Sequence, residues 1–178
     1  MPSDTKARIQ AVARELFVQQ GVQNTSLRQI SDRLGITKPA LYYHFSSRED
    51  LVRSIVQPLV EDIEGFLRDR AQGSDPRELL GDYFELIWRH REVIVMMVRD
   101  LSTLGFLDLG TRMFAWRREL VARLLGRELA LEQQIRATVA LGGMSDCAVE
   151  FAHLPLEEVK PTAVEAAAVA LGFRQTAT

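Results

Sequence analysis

The stretch Ser26–Phe45, SLRQISDRLGITKPALYYHF, carries its structure in its punctuation. Ser26 with Gln29 three positions on is a capping box, in which each side chain satisfies one of the backbone N–H groups that a helix start leaves without a partner. Leu27, Ile30 and Leu34 then recur at the spacing of one helical face, while Arg28, Gln29, Asp32 and Arg33 take the other. Gly35 ends this helix, since a residue without a Cβ adopts the left-handed conformation common just past a helix end, and Ile36 supplies the apolar contact that accompanies such a stop. Thr37 caps a second helix, and Pro39 falls in its first turn, where a missing N–H breaks no intrahelical bond. Leu41 and Phe45, four apart, mark the inward side. Lys38, Pro39, Ala40, Tyr42, Tyr43 and His44 are left largely facing outward.

Two short helices around a glycine turn form a helix-turn-helix, whose second helix enters a DNA major groove. Tyrosine, histidine and lysine side chains bond phosphates or base edges, and Pro39 and Ala40 are low enough to let the backbone approach thymine methyls. A plain helical hairpin with solvated aromatic tips accounts for any one of these residues, but not for the set in its order and spacing.

From about Lys6 to Val56 the chain resembles the TetR family of bacterial transcriptional regulators, most specifically in Ile36–Leu51, ITKPALYYHFSSREDL. The resemblance implies a three-helix DNA-binding domain, residues 1–47, followed by an all-helical domain, residues 48–178, that dimerises and binds a small molecule. It adds Arg28, Thr37 and Arg48 to the residues expected at DNA. The remaining two thirds match only in length and helical character.

Charge distribution agrees with a DNA-binding front end. Residues 1–57 hold eight Lys or Arg against five Asp or Glu, net +3, within a chain of net charge −2. The excess is modest, so binding rests on a few placed contacts doubled by a dimer. The single cysteine, Cys147, excludes an intramolecular disulfide and suits a reducing cytoplasm. A polar, charged N-terminus and the lack of any long apolar run speak against a signal peptide or a membrane span.

Outside the motif, Ile9, Val12, Ala13, Leu16 and Phe17 predict a bracing helix over Thr5–Gln20 stopped by Gly21, and Ser46 and Ser47 ahead of Arg48, Glu49 and Asp50 predict a second capping box, with two carboxylates in the first turn, opening a long linking helix. Pro58 is expected to kink that helix or mark the domain boundary. Gly73-Ser74-Asp75-Pro76 is the clearest break. Further helices are expected near Pro76–His90, Glu92–Leu101, Leu107–Leu125, Leu131–Ala152 and Leu156–Gly172, giving an all-α fold.

Large soft side chains gather in this second part: Phe84, Trp88, Met96 and Met97, then Phe106, Met113, Phe114 and Trp116, then Met144 and Phe151. Methionine adapts to irregular shapes and aromatic rings supply broad walls, which suits a pocket for a hydrophobic or aromatic effector, with Arg99, Asp100, Asp146 and Cys147 as the nearest polar or reactive groups. Side chains at such spacing also serve simply as core, and both readings stand. Near the C-terminus Ala163, Ala166, Ala167 and Ala170 make a small-sided face and Gly142-Gly143 thins the preceding helix, an arrangement fitted to a two-fold helical interface or to close packing inside one subunit.

Catalytic patterns are weak. Asp146, Glu150 and His153 share a helix face without a second cluster, Cys147 has no neighbouring base, and no glycine-rich phosphate loop occurs. No metal or cofactor is expected. The sequence therefore predicts a ligand-responsive regulator, most simply a repressor, acting as a homodimer on a palindromic double-stranded operator. The alternatives are a helical ligand-binding or enzymatic bundle with a degenerate helix-turn-helix, and a DNA binder without an effector.

Overall fold

The computed structural model describes residues 2–69 and 75–173, so Gly73 and Ser74 of the expected break lie outside the described residues. Among the described residues the chain is all-α: α1 (Pro2–Gln20), α2 (Leu27–Leu34), α3 (Lys38–His44), α4 (Arg48–Asp69), α5 (Pro76–Arg89), α6 (Arg91–Arg99), a 3-10 segment (Leu101–Asp108), α7 (Leu109–Leu125), α8 (Leu131–Glu150) and α9 (Leu156–Ala170). They form two compact units. The first holds the residues up to Glu61 together with Glu92–Thr111, and the second holds Asp62–Arg91 together with the chain from Arg112 onward.

In the first unit Ile9, Ala13 and Phe17 of α1, Ile30 of α2, Leu41 and Phe45 at α3, and Leu51, Val52 and Ile55 of α4 are buried. The helix ends follow the local chemistry. Ser26 accepts from the Gln29 N–H at 3.2 Å while Gln29 Oε1 accepts from the Ser26 N–H at 2.8 Å, completing the capping box. Gly35 has φ +70°, and the Ile36 N–H reaches back to the Ser31 carbonyl at 3.1 Å, closing the left-handed helix stop that glycine permits. Thr37 Oγ1 accepts from the Ala40 N–H at 3.3 Å. At α4, Ser47 Oγ accepts from the Asp50 N–H at 3.0 Å, but the Asp50 carboxylate returns to the Ser46 N–H, one residue before the position a capping box uses.

α4 runs through Pro58 as one helix, so the expected boundary does not interrupt it. Its residues divide between the units after Glu61. The segment expected to pass from one α-helix to the next between Leu101 and Leu107 is instead a 3-10 helix ending in Leu107 and Asp108, both with φ above +50°. This left-handed pair is uncommon for residues with a Cβ and makes a sharp exit into α7.

In the second unit α9 packs against α5 and α8. Ala163, Ala167 and Ala168 of α9, Ala137, Ala140 and Ala148 of α8, and Leu79, Leu80 and Phe84 of α5 are buried. A Cβ on Gly81 would stand 3.3 Å from Lys160 Cε, so the α5–α9 approach uses the missing side chain. Glu85 pairs with Lys160, and Arg77 holds Glu165 through two bonds of 2.9 and 3.2 Å. On the small face of α9, Ala163 and Ala167 thus serve packing within the subunit, whereas Ala166 is exposed and Ala170 half-buried.

Candidate nucleic-acid interface

α3 is held by its inward side alone. Leu41 is fully buried and Phe45, at its end, keeps 2% of its surface, whereas Tyr42 exposes 55% and Tyr43 81%. Lys38, Pro39 and Ala40 are exposed with them, His44 is half-buried, and the Tyr43 and His44 rings meet edge to face at 5.1 Å. A helix that leaves two tyrosines in water presents phenolic donors and flat apolar surface together, which suits phosphates, base edges and thymine methyls. Thr37 is exposed with its hydroxyl turned to the helix start. Arg28 reaches Asp32 at 3.5 Å with both side chains well exposed, a surface pair that contributes about 0–1 kcal/mol and leaves the guanidinium available.

Arg48 behaves differently. Its Nη1 donates to the Gln23 carbonyl at 2.9 Å and its Nη2 to Gln23 Oε1 at 3.1 Å, so it grips the turn between α1 and α2. The same turn is held from the other direction. Asp100, just past α6, accepts from the Val22 N–H at 2.7 Å through one carboxylate oxygen, and through the other from the Ser102 hydroxyl at 2.6 Å and its N–H at 3.0 Å. Gln23 Nε2 reaches Ser102 Oγ at 3.4 Å, and Arg99 donates to the Val18 carbonyl at 3.3 Å. The Ser102 hydrogen bond first, and the backbone N–H groups after it, hold the Asp100 carboxyl below its ordinary range against the opposing effect of burial. The sequence pointed to Arg99 and Asp100 as ligand-orienting groups; the structure places Asp100 on the α1–α2 turn and Arg99 on the last turn of α1. The Asp-x-Ser spacing that lets a carboxylate cap a residue two positions on was the one local signal available.

The proposed effector residues separate. Met96 and Met97 are buried in the first unit; Phe84, Trp88 and Met144 are buried in the second, with the Phe84 and Trp88 rings 5.6 Å apart. Met113, Phe114 and Phe151 are exposed, and the Phe106 side chain lies outside those described. Burial first, and the Asp146 carboxylate second, push the Cys147 thiol up, which keeps it protonated and poorly nucleophilic at neutral pH. Among the described residues no group of three His, Cys, Asp or Glu side chains stands close enough to hold a metal ion, and no helix is long and apolar enough to cross a membrane.

Residues 9–55, which span the helix-turn-helix and the start of α4, match the family described as bacterial regulatory proteins, tetR family. In this segment the chain is a TetR-family DNA-binding region. It is 37% identical over 100 residues to the HTH-type transcriptional regulator AcrR of Shigella flexneri, covering 56% of this chain and 43% of that protein. It is 34% identical over 79 residues to the HTH-type transcriptional repressor KstR2 of Rhodococcus jostii strain RHA1, covering 44% of this chain and 39% of that protein. The matched stretches therefore span about two fifths of these curated relatives. A solved transcriptional regulator from Aquifex aeolicus VF5 shares the fold over 93% of this chain and 98% of its own, with a TM-score of 0.68 at 24% identity. Sequence likeness to TetR relatives is thus carried by part of the chain, while likeness of fold extends over nearly all of it.

Proposed function

We propose that this chain is an effector-responsive transcriptional regulator of the TetR family, most simply a repressor, that binds a palindromic operator as a homodimer in the bacterial cytoplasm. The observation that carries the reading is α3: a capped helix anchored by Leu41 and Phe45, with Lys38, Tyr42 and Tyr43 in solvent. Two copies related by a two-fold axis read successive major grooves about 34 Å apart, with Pro39 and Ala40 admitting the groove wall, Thr37, His44 and Arg28 at its edges, and Arg48 positioning the α1–α2 turn.

The dimer face lies on the exposed side of the last two helices. Leu131, Ile135 and Val139 recur every four residues along α8 and are 71%, 55% and 64% exposed; Val169 of α9 is 48% exposed. An apolar stripe of this kind on a monomer seeks a partner, and a self-complementary two-fold contact closes it.

The effector acts through α4. In the second unit Asp62 pairs with His90 Nε2 at 2.8 Å and Glu64 with Arg112 Nη1 at 2.6 Å, so α5 and α7 hold the far part of the helix whose near part belongs to the DNA-binding unit. A hydrophobic or aromatic ligand that repositions α5 or α7 pulls on α4 and lowers operator affinity. A coupling of about 1–3 kcal/mol gives roughly 5–150-fold. The test is selection of bound duplexes from a random-sequence library. Enrichment of an inverted repeat supports a dimeric operator-reading regulator, and recovery of no shared sequence removes it.

A further inference from the structure

α7 and α8 with their connection enclose an open groove of about 950 Å³, outside the set of residues that the sequence marked for an effector except at Phe114. Small-molecule sites fall at ~300–1,000 Å³, so the space suits an organic ligand. Its lining combines apolar Phe114, Val121 and Leu129 with Arg117, Arg118 and Arg127 and a single acid, Glu128; Phe114, Arg117, Arg118 and Val121, at helical spacing, share one face of α7. Arg127 reaches Glu119 at 3.4 Å, and that carboxylate is also held by Arg123 at 3.1 Å. Arg117 and Arg118 have no hydrogen bond or ion pair among the described residues.

A guanidinium stays charged at every pH a cell meets, so Arg117, half-buried, and Arg118, exposed, place two positive charges that pair with no carboxylate among the described residues beside the apolar surface of Phe114 and Val121. A concave, partly low-dielectric site of one sign concentrates ligands of the opposite sign. Guanidinium binds a carboxylate through two parallel bonds, while the apolar side chains beside it take apolar surface. Gln134 and Thr138 put the groove on the side of α8 next to the exposed stripe of Leu131, Ile135 and Val139.

We infer that the α7–α8 groove binds an amphipathic carboxylate, its head group on Arg117 and Arg118 and its apolar body against Phe114, Val121 and Leu129. Any effect on DNA rests on the effector reading above; the binding itself does not.

The experiment titrates the full-length dimer with dodecanoate, and in parallel with dodecanol and dodecylammonium, all below their micellar concentrations. Binding is read by calorimetry, with Trp116 of α7 as a fluorescent reporter. Saturable binding of one dodecanoate per chain is expected, at least tenfold tighter than either uncharged or cationic probe. The double substitution Arg117→Gln with Arg118→Gln weakens it at least tenfold, whereas Arg136→Gln, which removes an arginine paired with Glu132 outside the groove, leaves it unchanged. Thr138→Trp, made at an exposed lining position, blocks dodecanoate without disturbing the helical circular dichroism. Equal binding of dodecanol, indifference to the double substitution, or no saturable binding overturns the inference. So does dissociation of the dimer by the double substitution in sedimentation, which would make the groove a seat for the second copy. Dodecanoate that binds as expected and leaves operator affinity unchanged keeps the site and removes its role as an effector site.

Discussion

Arg48 and Asp100 approach one turn of chain from opposite directions in sequence, 25 residues after Gln23 and 78 residues after Val22. A charge-assisted bond of this kind contributes about 1.5–3 kcal/mol where it is shielded and less where water competes. Arg48→Ala separates two roles. A phosphate contact predicts that specific and random DNA weaken equally and the log–log salt slope flattens by roughly one. The bonds to Gln23 predict weaker binding with an unchanged slope and a lower melting temperature, and anisotropy titrations between low and moderate salt decide between them. Asp100 adds a pH signature. Its carboxyl is held below the usual range, so the stabilisation is fully present above the unfolded value near ~3.9 and is lost as pH falls through the lower folded value. Asp100→Asn therefore costs about 1 kcal/mol or more at pH 7, and the gap from wild type narrows as unfolding is followed from pH 5 toward pH 3. Neither partnership was legible in the sequence, because a long guanidinium or a loop carboxylate finds its acceptor or donor through tertiary approach. The exposed face of α3 was legible, since Leu41 and Phe45 fix which side turns inward.

At the scale of the element, what could be read locally was read. Caps at Ser26 and Thr37 and the glycine stop at Gly35 involve partners within a few residues, and the helix limits fell where those signals stand. The 3-10 segment escaped because Leu101–Asp108 has the apolar content of a helix and only Gly105 to mark a break; its exit depends on the left-handed conformation of Leu107 and Asp108, which no local preference announces. The alanine face of α9 left two readings open for a related reason: small residues permit close approach, but sequence does not say to which helix. The buried Ala163 and Ala167 and the exposed Ile135 and Val139 now separate fold from assembly. Ile135→Glu is expected to yield folded monomers with native helical signal and operator affinity reduced at least tenfold at nanomolar protein. Ala167→Glu puts an unpaired carboxylate inside the subunit and lowers stability by several kcal/mol. Sedimentation and thermal unfolding of the two proteins check both statements; a dimeric Ile135→Glu protein moves the interface elsewhere.

For the whole molecule, the division of the chain is not the one a reading along it suggests. The sequence placed the domain boundary at 47/48, whereas the compact unit that contains the helix-turn-helix also takes in Glu92–Thr111, and α4 contributes to both units. α6 and the 3-10 segment thus belong with the DNA-binding helices through Asp100, Ser102 and Arg99, a long-range association with no periodicity to reveal it. If an effector weakens DNA binding, equilibrium coupling requires DNA to weaken the effector by the same factor. The central claim is narrower: the exposed face of α3 reads an operator. It is tested most directly by fluorescence anisotropy of the inverted repeat enriched from random DNA, titrated at fixed salt with wild type and with Tyr42→Ala, dimerisation being checked in parallel. The account predicts two chains per repeat and a loss of at least ~1 kcal/mol, about fivefold, in Tyr42→Ala with the dimer intact. Wild-type affinity in the folded, dimeric Tyr42→Ala protein would contradict it.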